Sequence, residues 1–289
     1  PEAPNYEVLV SGRPPHTMLE ASPNLRMLVI PFAGMPTSTR DLMRDFPHIA
    51  VHNLHHNAVP TAEMALALLM AAARQLMPAD RELRRHNWTP RYNKMPQVLL
   101  SGKTALILGY GAIGQHLGMI LRAMGMTVLG TRRRNVDEAN HIYPPDALHD
   151  LLPRADVLVI ALPHTPETEG LIGSHEIGLM PSQSILVNIG RGAIVQQQAL
   201  YAALKDGHLH AAASDVWYNY PPDEASRSKT QPADVPLHEL DEMVMSPHRA
   251  GAFGNADIER LRVEALAALF NAASRGEDVP NRVSLEAGY

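Results

Sequence analysis

An arginine and a histidine of this 289-residue chain stand where they could do chemistry. Arg191 lies between two glycines in the segment 188–192, and His248 follows a proline in the segment 246–251. A guanidinium can bind an acid and polarise a carbonyl, and an imidazole can pass a proton. The alternatives are a surface turn for Arg191 and a structural role for His248. Both segments follow short apolar runs, so both residues are expected just beyond the ends of buried strands.

Glycines at positions 109, 111 and 114 form a G-x-G-x-x-G pattern between two predicted elements. The apolar run 104–108 is typical of a strand buried on both faces, and apolar residues recur at helical spacing over 113–124. A second short strand is predicted at 125–130. This order of elements holds a dinucleotide pyrophosphate at the helix N-terminus. The motif alone could be an ordinary tight turn, but in this context it predicts a dinucleotide site.

The end of the second strand, about 20 residues beyond the motif, normally selects the cofactor. An NAD site places Asp or Glu there, whereas this chain has Thr131, Arg132, Arg133 and Arg134. Guanidinium forks match phosphate oxygens, so the segment predicts NADP(H), with NAD(H) as the second choice. The alternative is a solvated basic turn.

Composition bounds the class of protein. Apolar residues make up 45% and charged residues 19%, as in soluble globular proteins. A net charge of −5 without a further basic run argues against a nucleic-acid partner. The absence of cysteine excludes disulfides and thiolate chemistry. No apolar run is long enough to span a membrane and no signal-peptide pattern is visible at the start, so a cytoplasmic protein is expected.

Strand and helix candidates alternate from residue 104 to about 250, which predicts an α/β fold with a doubly wound parallel sheet. The predicted strands in this part lie at 157–161, 185–188, 211–216 and 243–245. The predicted helices between them lie at 148–152, 168–180 and 196–205. Earlier in the chain, strands are expected at 6–10, 27–30 and 49–52. A helix with a Thr or Ser cap is expected at 37–46, a buried helix from 61, and an amphipathic helix at 258–273.

Several long motifs make the chain resemble the D-isomer-specific 2-hydroxyacid dehydrogenase family over roughly residues 25–270. They are GYGAIG at 109–114, ADVLVIALPHTPETEGLIG at 155–173, LVNIGRGAIV at 186–195, DVW at 215–217 and SPHRAG at 246–251. The resemblance implies a Rossmann cofactor domain at 93–252. It also implies a smaller flavodoxin-like substrate domain, built from 1–92 and 253–289, and a homodimer.

The same resemblance implies roles for single residues. Arg191 would bind the substrate carboxylate and carbonyl, and His248 would be the general acid/base. Asp215 would meet the nicotinamide carboxamide, although by itself it could also be a turn or helix cap. Substrate contacts are implied for three further residues: Gly34, Met35 and Asn57. The full set of expected cofactor contacts is Gly109, Gly111, Ala112, Ile113, Gly114, Thr131, Arg132, Arg133, Pro163, Thr168, Ile189, Gly190, Arg191, Asp215, His248 and Gly251.

Tyr220 marks a departure, since the family usually has a glutamate there that orients the histidine and raises its pKa. A tyrosine hydroxyl cannot supply the charge that favours imidazolium. We therefore expect Tyr220 to take the place of the catalytic glutamate and His248 to titrate lower, which shifts reduction toward acidic pH. The alternative is that Asp223 or Glu224 reaches back to His248.

These observations favour an oxidoreductase that transfers a hydride between NADP(H) and a small 2-oxoacid, such as glyoxylate or hydroxypyruvate. One alternative keeps the fold and acts on formate or another small anion, because the glutamate is absent. Another is a non-catalytic NAD(P)H-sensing binding protein. The histidines of HNLHHN at 52–57 invite a metal, but no cysteine or carboxylate cluster joins them. No metal is predicted, and His55 or His56 is expected to line the substrate pocket.

Overall fold

The structure, a computed structural model, describes residues 6–252 and 254–286. The chain divides into two compact units. The smaller unit combines both ends of the sequence, Pro1–Pro60 and Gly251–Tyr289, and the larger unit is Thr61–Ala250.

The smaller unit is an α/β structure with three parallel strands, β1 (Val8–Val10), β2 (Met27–Ile30) and β3 (Ala50–Asn53), in the order β1-β2-β3. Helix α1 (His16–Glu20) and helix α2 (Thr37–Met43) connect them. The first connecting helix has only five residues. Helix α2 follows the extended residue Pro36 without a side-chain cap, so the expected Thr or Ser cap is wrong.

Three helices link the N-terminal strands to the larger sheet: α3 (Ala58–Ala73), α4 (Leu76–Arg84) and α5 (Thr89–Tyr92). Gln75, with φ of 52°, separates α3 from α4. Ala62 and Leu69 of α3 share one buried cluster with Ile107 of the larger unit. The larger unit begins at residue 61, so α3 from Thr61 onward belongs to it. The cofactor domain at 93–252 stays a prediction.

The larger unit is built on a seven-stranded parallel sheet. In chain order its strands are β4 (Thr104–Leu108), β5 (Thr127–Thr131), β6 (Ile142–Tyr143), β7 (Val157–Ile160), β8 (Ser184–Asn188), β9 (Leu209–Ser214) and β10 (Met243–Met245). The intervening helices are α6 (Ala112–Ala123), α7 (Leu148–Leu151), α8 (Ser174–Leu179) and α9 (Gln197–Lys205). The strand order is β10-β9-β8-β7-β4-β5-β6, and every pairing is parallel. The order reverses between β4 and β7, which is where such sheets bind ligands.

Alternate side chains of the central strands enter two different cores. Leu106 and Leu108 of β4 belong to one buried cluster, and Ala105 and Ile107 belong to the other. Both faces of the sheet are therefore covered, and the strands are continuous apolar runs for this reason. The predicted α/β class with a doubly wound parallel sheet is confirmed.

In the larger unit, one predicted helix is too long and one strand was not predicted. Residues 168–173 are not helical, so the helix predicted at 168–180 is only α8. In the preceding loop the Thr168 hydroxyl bonds the backbone, and Gly170 has φ of 63°, which ends any helix. The two-residue edge strand β6 has too little apolar sequence to be seen by periodicity.

The C-terminal helix α10 (Ala256–Ser274) belongs to the smaller unit. Asn255 caps it, since its side-chain oxygen accepts from the Asp257 backbone N–H at 2.9 Å. Among the helices in the described part of the chain, none combines the length and apolar character needed to cross a bilayer.

Candidate active site

The glycine turn lies where the strand order reverses, between β4 and α6. Gly109 has φ of 93°, and a Cβ there would lie 2.7 Å from the Ala161 carbonyl oxygen at the end of β7. A Cβ on Gly114 would overlap the Gly109 carbonyl and press on Ile107 at 3.2 Å. Glycine is thus required at both positions by close backbone packing.

Gly111 is glycine for another reason. It stands at the N-cap of α6, and no atom of the described chain lies within 4 Å of the position that its Cβ would take. The first backbone N–H groups of α6, including those of Ala112 and Ile113, have no partners within the helix. Open space in front of a helix N-terminus fits a pyrophosphate, so this turn can hold a dinucleotide.

Tyr110, inside the glycine motif, has a structural role that the sequence pattern does not reveal. Its buried ring lies against Gly130 of β5, where a Cβ would be 2.5 Å from the ring, and against Gly118 of α6. Its hydroxyl accepts from Arg122 Nη1 at 2.6 Å. The Tyr110 backbone N–H donates to the Thr131 carbonyl at 2.8 Å, so the glycine turn is fixed to the end of β5.

The end of β5 carries a buried threonine and a row of arginines. Thr131 is the last residue of the strand, Arg132 is half-buried, and Arg133 and Arg134 are exposed. The next carboxylate in sequence, Asp137, is engaged as the cap of a short 3₁₀ helix, where it accepts from the Asn140 side chain at 2.7 Å. This end of the strand therefore offers cations where an NAD-selective site offers an acid.

The loop after β7 is organised by Thr168, one of the predicted cofactor residues. Its hydroxyl donates to the Pro163 carbonyl at 2.7 Å and accepts from the Thr165 backbone N–H at 2.8 Å. A Cβ on Gly190 would lie 2.6 Å from the Leu162 carbonyl, so the loops after β7 and β8 touch through their backbones. Ile189, between β8 and Gly190, is buried.

Arg191 is held by its neighbours in the turn after β8. The Asn188 side chain accepts from the Gly190 N–H and donates to the Arg191 carbonyl, both at 3.0 Å. Arg191 Nη1 donates to the Gly190 carbonyl at 2.7 Å. Burial lowers the pKa of Arg191 from its ordinary value, although Tyr220 opposes this. Since arginine starts so far above neutrality, Arg191 remains a cation able to pair with a carboxylate.

His248 is paired with Tyr220 in the larger unit. The Tyr220 hydroxyl lies 2.8 Å from His248 Nδ1 and accepts from the Trp217 backbone N–H at 3.1 Å. With that N–H occupying one lone pair, the hydroxyl hydrogen can point at Nδ1. A neutral imidazole that accepts at Nδ1 carries its hydrogen on Nε2. Tyr220, which stands where the family usually has glutamate, is thus hydrogen-bonded to His248 in the structure.

The electrostatics around His248 disfavour its charged form. Partial burial lowers the pKa of His248, the positive charge of Arg191 lowers it further, and Asp215 acts in the opposite direction. Burial also raises the pKa of Tyr220, so its hydroxyl stays protonated at neutral pH. His248 is thus expected to be mostly neutral at pH 7 and to gain a proton under acidic conditions.

Asp215 holds the loop that carries His248. Its Oδ1 accepts from the Ser246 hydroxyl at 2.5 Å and from the Arg249 N–H at 2.8 Å, and its Oδ2 accepts from the Ala250 N–H at 2.8 Å. His248 adopts φ of 57°, a conformation rare for residues other than glycine, which these bonds sustain. Within the described structure Asp215 caps this turn. A turn cap was one of the two interpretations of Asp215 in the sequence, and contact with the nicotinamide, the other, stays a prediction.

The remaining predicted site residues lie in the smaller unit: Gly34, Met35, Asn57 and Gly251. The loop that carries Gly34 and Met35 is anchored by Asn53, whose Nδ2 donates to the Ala33 carbonyl at 2.6 Å. Asn57 and Gly251 are brought together, since a Cβ on Gly251 would be 3.5 Å from Asn57 Nδ2. The substrate contacts of Gly34, Met35 and Asn57 stay predictions.

The histidines of the segment 52–57 differ in their environments: His52 is buried, His55 is exposed, and His56 is half-buried, with no hydrogen-bond partner for its buried Nδ1 among the described residues. His52 Nδ1 lies 2.8 Å from the Pro280 carbonyl, to which it donates as the neutral tautomer. Burial lowers the pKa of His52, His55 and His56, which keeps all three neutral.

The parallel sheet has a glycine turn at its reversal point, a half-buried arginine after β8 and, after β10, a histidine paired with Tyr220. These features define a dinucleotide-binding protein of the Rossmann class. Residues 66–250 match the model of the D-isomer specific 2-hydroxyacid dehydrogenase NAD binding domain. The chain therefore belongs to the D-isomer specific 2-hydroxyacid dehydrogenase family.

Individual relatives agree with this assignment. The chain is 31% identical over 240 residues to D-3-phosphoglycerate dehydrogenase of Methanocaldococcus jannaschii, which covers 82% of this chain and 43% of that protein. It is 39% identical over 238 residues to glyoxylate reductase of Aeropyrum pernix. That match covers 78% of this chain and 66% of the glyoxylate reductase. The chain thus spans less than half of the first relative and about two thirds of the second.

A solved structure has the same fold over nearly the whole chain. It is a D-isomer specific 2-hydroxyacid dehydrogenase from Xanthobacter autotrophicus Py2 in complex with NADPH and MES, with a TM-score of 0.78 and 25% identity. The similarity covers 98% of this chain and 86% of that one.

Proposed function

We propose that this chain is an NADP(H)-dependent oxidoreductase that interconverts a small 2-oxoacid and the corresponding D-2-hydroxyacid. The observation that carries the proposal is the cluster of the Arg191 guanidinium and the hydrogen-bonded pair of His248 and Tyr220, in the unit that holds the glycine turn. A cation for the acid and an imidazole for the carbonyl oxygen are the groups that this reaction needs from the protein.

Each side chain has a distinct part in the proposed reaction. The bound nicotinamide would supply or accept the hydride at the substrate carbon. Arg191 binds the substrate carboxylate and polarises the carbonyl. During reduction the protonated His248 donates a proton from Nε2 to the carbonyl oxygen and keeps its hydrogen on Nδ1, facing the Tyr220 hydroxyl. During oxidation the neutral tautomer with its hydrogen on Nδ1 accepts the proton at Nε2. Tyr220 acts through His248. Its hydroxyl is hydrogen-bonded to Nδ1, which leaves Nε2, on the other side of the ring, for the substrate.

The cofactor preference follows from the end of β5. We propose that Thr131, Arg132 and Arg133 surround the 2′-phosphate of NADP(H), with NAD(H) as the weaker cofactor. Support comes from Asp137, whose carboxylate is hydrogen-bonded to Asn140 in its own turn. Further support comes from the NADPH bound in the similar structure from Xanthobacter autotrophicus. By the same proposal the larger unit is the cofactor domain and the smaller unit is the substrate domain.

The test is the loss of NADPH absorbance on a panel of 2-oxoacids that includes glyoxylate and hydroxypyruvate. We expect turnover on at least one of them and its near-complete loss in Arg191→Ala. Turnover of formate with NADP⁺ and of none of the 2-oxoacids would favour the small-anion enzyme. Tight NADPH binding without turnover on any substrate would favour the sensor.

We further propose that the protein is a homodimer. The segment from α4 to α5 exposes a row of large apolar side chains: Leu76 at 56%, Met77 at 50%, Leu83 at 49%, Trp88 at 61% and Tyr92 at 79%. Exposed apolar surface of this extent supports an interface, and a second copy of the chain is the occupant that the family resemblance implies.

A further inference from the structure

Two imidazoles and a carboxylate meet on the surface of the larger unit, outside the proposed active site. His149 lies in α7, and His175 and Glu176 lie in the first turn of α8. One potential ligand atom from each of these three residues, here called the His–Glu cluster, lies within 4.8 Å of the other two. His149 Nε2 is 3.0 Å from Glu176 Oε1, and the ring centroids of the two histidines are 5.4 Å apart.

Glu176 is the fixed member of the cluster. The Gly173 backbone N–H donates to its Oε2 at 3.0 Å, which leaves Oε1 directed toward His149. Glu176 is thus held from two sides, by the Gly173 backbone N–H and by the His149 ring. Its side chain is 16% exposed, against 58% for His149. A carboxylate oriented by a backbone donor is a ligand already held in place.

We propose that the His–Glu cluster binds a zinc ion. Two imidazole nitrogens and one carboxylate oxygen form a known zinc donor set, in which water completes the tetrahedron. Ligand atoms at zinc bond lengths are separated by about 3.3 Å in tetrahedral geometry. The pair of His149 and Glu176 already meets that spacing, and the exposed His175 ring can close the remaining distance by side-chain rotation.

The bound ion would join two helices that belong to different parts of the sequence. His149 and Glu176 are 27 positions apart, and the strand β7 and its loop lie between them. An ion that binds only the folded arrangement stabilises it by mass action. This site uses none of the residues proposed for catalysis, so zinc binding and catalysis can succeed or fail separately.

The experiment is a zinc titration of the purified chain in competition with a chromophoric chelator, together with thermal unfolding. We expect one site, and a higher midpoint of unfolding when zinc is present. His149→Ala and His175→Ala should each weaken zinc binding at least about tenfold and abolish the stabilisation, because each removes one of three ligands.

Two further variants separate the loss of a zinc ligand from damage to helix α8 and from weak binding at surface histidines. Glu176→Gln keeps an acceptor for the Gly173 N–H, so α8 keeps its cap while the anionic ligand is lost and zinc binding weakens. His238→Ala is the matched control, since His238 is also exposed and lies 4.0 Å from the carboxylate of Glu239 but has no second imidazole in that pair. Equal zinc binding by the wild type and His149→Ala, or an equal loss in His238→Ala, would overturn the proposal.

Discussion

At the scale of single residues, His248 and Tyr220 form a hydrogen-bonded pair without a carboxylate. A glutamate beside an imidazole favours the imidazolium by charge, whereas a neutral hydroxyl favours neither form strongly. Burial and Arg191 both act to lower the pKa of His248, so the imidazolium, which we propose as the proton donor for reduction, is scarce at neutral pH.

This pair predicts the pH dependence of the proposed reaction. Reduction needs the protonated form, so kcat/KM for a 2-oxoacid should fall as pH rises through a His248 pKa below its ordinary value. Oxidation needs the neutral imidazole and should rise over the same range. Tyr220→Glu should move both transitions to higher pH, because a carboxylate stabilises imidazolium.

The control for this prediction is Tyr220→Phe, which keeps the ring and removes the hydroxyl. It should lower the rate without moving the transition upward, since it adds no charge. Superimposable pH profiles for the wild type and Tyr220→Glu would contradict the role of Tyr220.

Arg132 carries the prediction on cofactor choice. Arg132→Ala should weaken NADPH binding by about tenfold or more, the size expected for a lost hydrogen bond between charged groups, and should change NADH binding little. The measurement is the KM for both cofactors. Arg154→Ala removes an exposed arginine elsewhere in the larger unit and should affect neither cofactor. Equal losses for NADPH and NADH in Arg132→Ala would contradict the 2′-phosphate assignment.

The identity and place of a site residue could be predicted from the sequence where a motif fixes the local backbone. The position of Arg191 after a strand was expected, and so was Tyr220 at the position of the usual glutamate, but its hydrogen bond to His248 is seen only in the structure. The anchoring of Asp215 was left open, because its three donors come from residues more than 30 positions away. The His–Glu cluster was missed for a similar reason, since spacing along the sequence does not show which helices meet.

At the scale of elements, the glycine turn depends on close contact between α6 and β4. Gly114→Ala should destabilise the larger unit by about 1–3 kcal/mol, because the added methyl overlaps the Gly109 carbonyl and neither backbone can move freely. Chemical denaturation measures this change, and NADPH binding should weaken with it.

Gly178→Ala is the matched control for that prediction. Gly178 lies in α8, and no described atom is within 4 Å of its Cβ position. Alanine there should stabilise the protein slightly, by about 0.5–1 kcal/mol, because it favours the helix. A Gly114→Ala variant as stable as the wild type would contradict the inference that close packing at the turn requires glycine.

Most elements could be predicted from periodicity, because long buried strands are continuous apolar runs. The helix expected at 168–180 was too long, since hydrogen bonds of Thr168 stabilise a loop that apolar spacing does not report. The edge strand β6 is set by pairing with β5 and not by its own two residues.

At the scale of the whole molecule, the exposed apolar side chains of the segment from α4 to α5 predict the oligomeric state. Leu83→Asp should shift the proposed dimer toward monomer, because it places a charge within the apolar surface. Light scattering after size exclusion measures the mass. Val263→Asp is the control, since Val263 is 62% exposed on α10. An unchanged mass for Leu83→Asp, or a monomeric wild type, would contradict the interface.

The division of the chain into two units was harder to predict than either fold. Helix α3 is apolar nearly all round, so its sequence shows that it is buried but not against which sheet. In the structure Ala62 and Leu69 pack into the core of the larger unit, which begins at residue 61.

The position of Tyr110 has a consequence for how this protein can change by mutation. Its ring occupies the volume that side chains at positions 118 and 130 would need. Alanine at either glycine should be tolerated only after residue 110 has become smaller, and a smaller residue 110 leaves a cavity that those alanines would fill. The three positions should therefore be epistatic, and a library that varies them one at a time would miss the viable combinations.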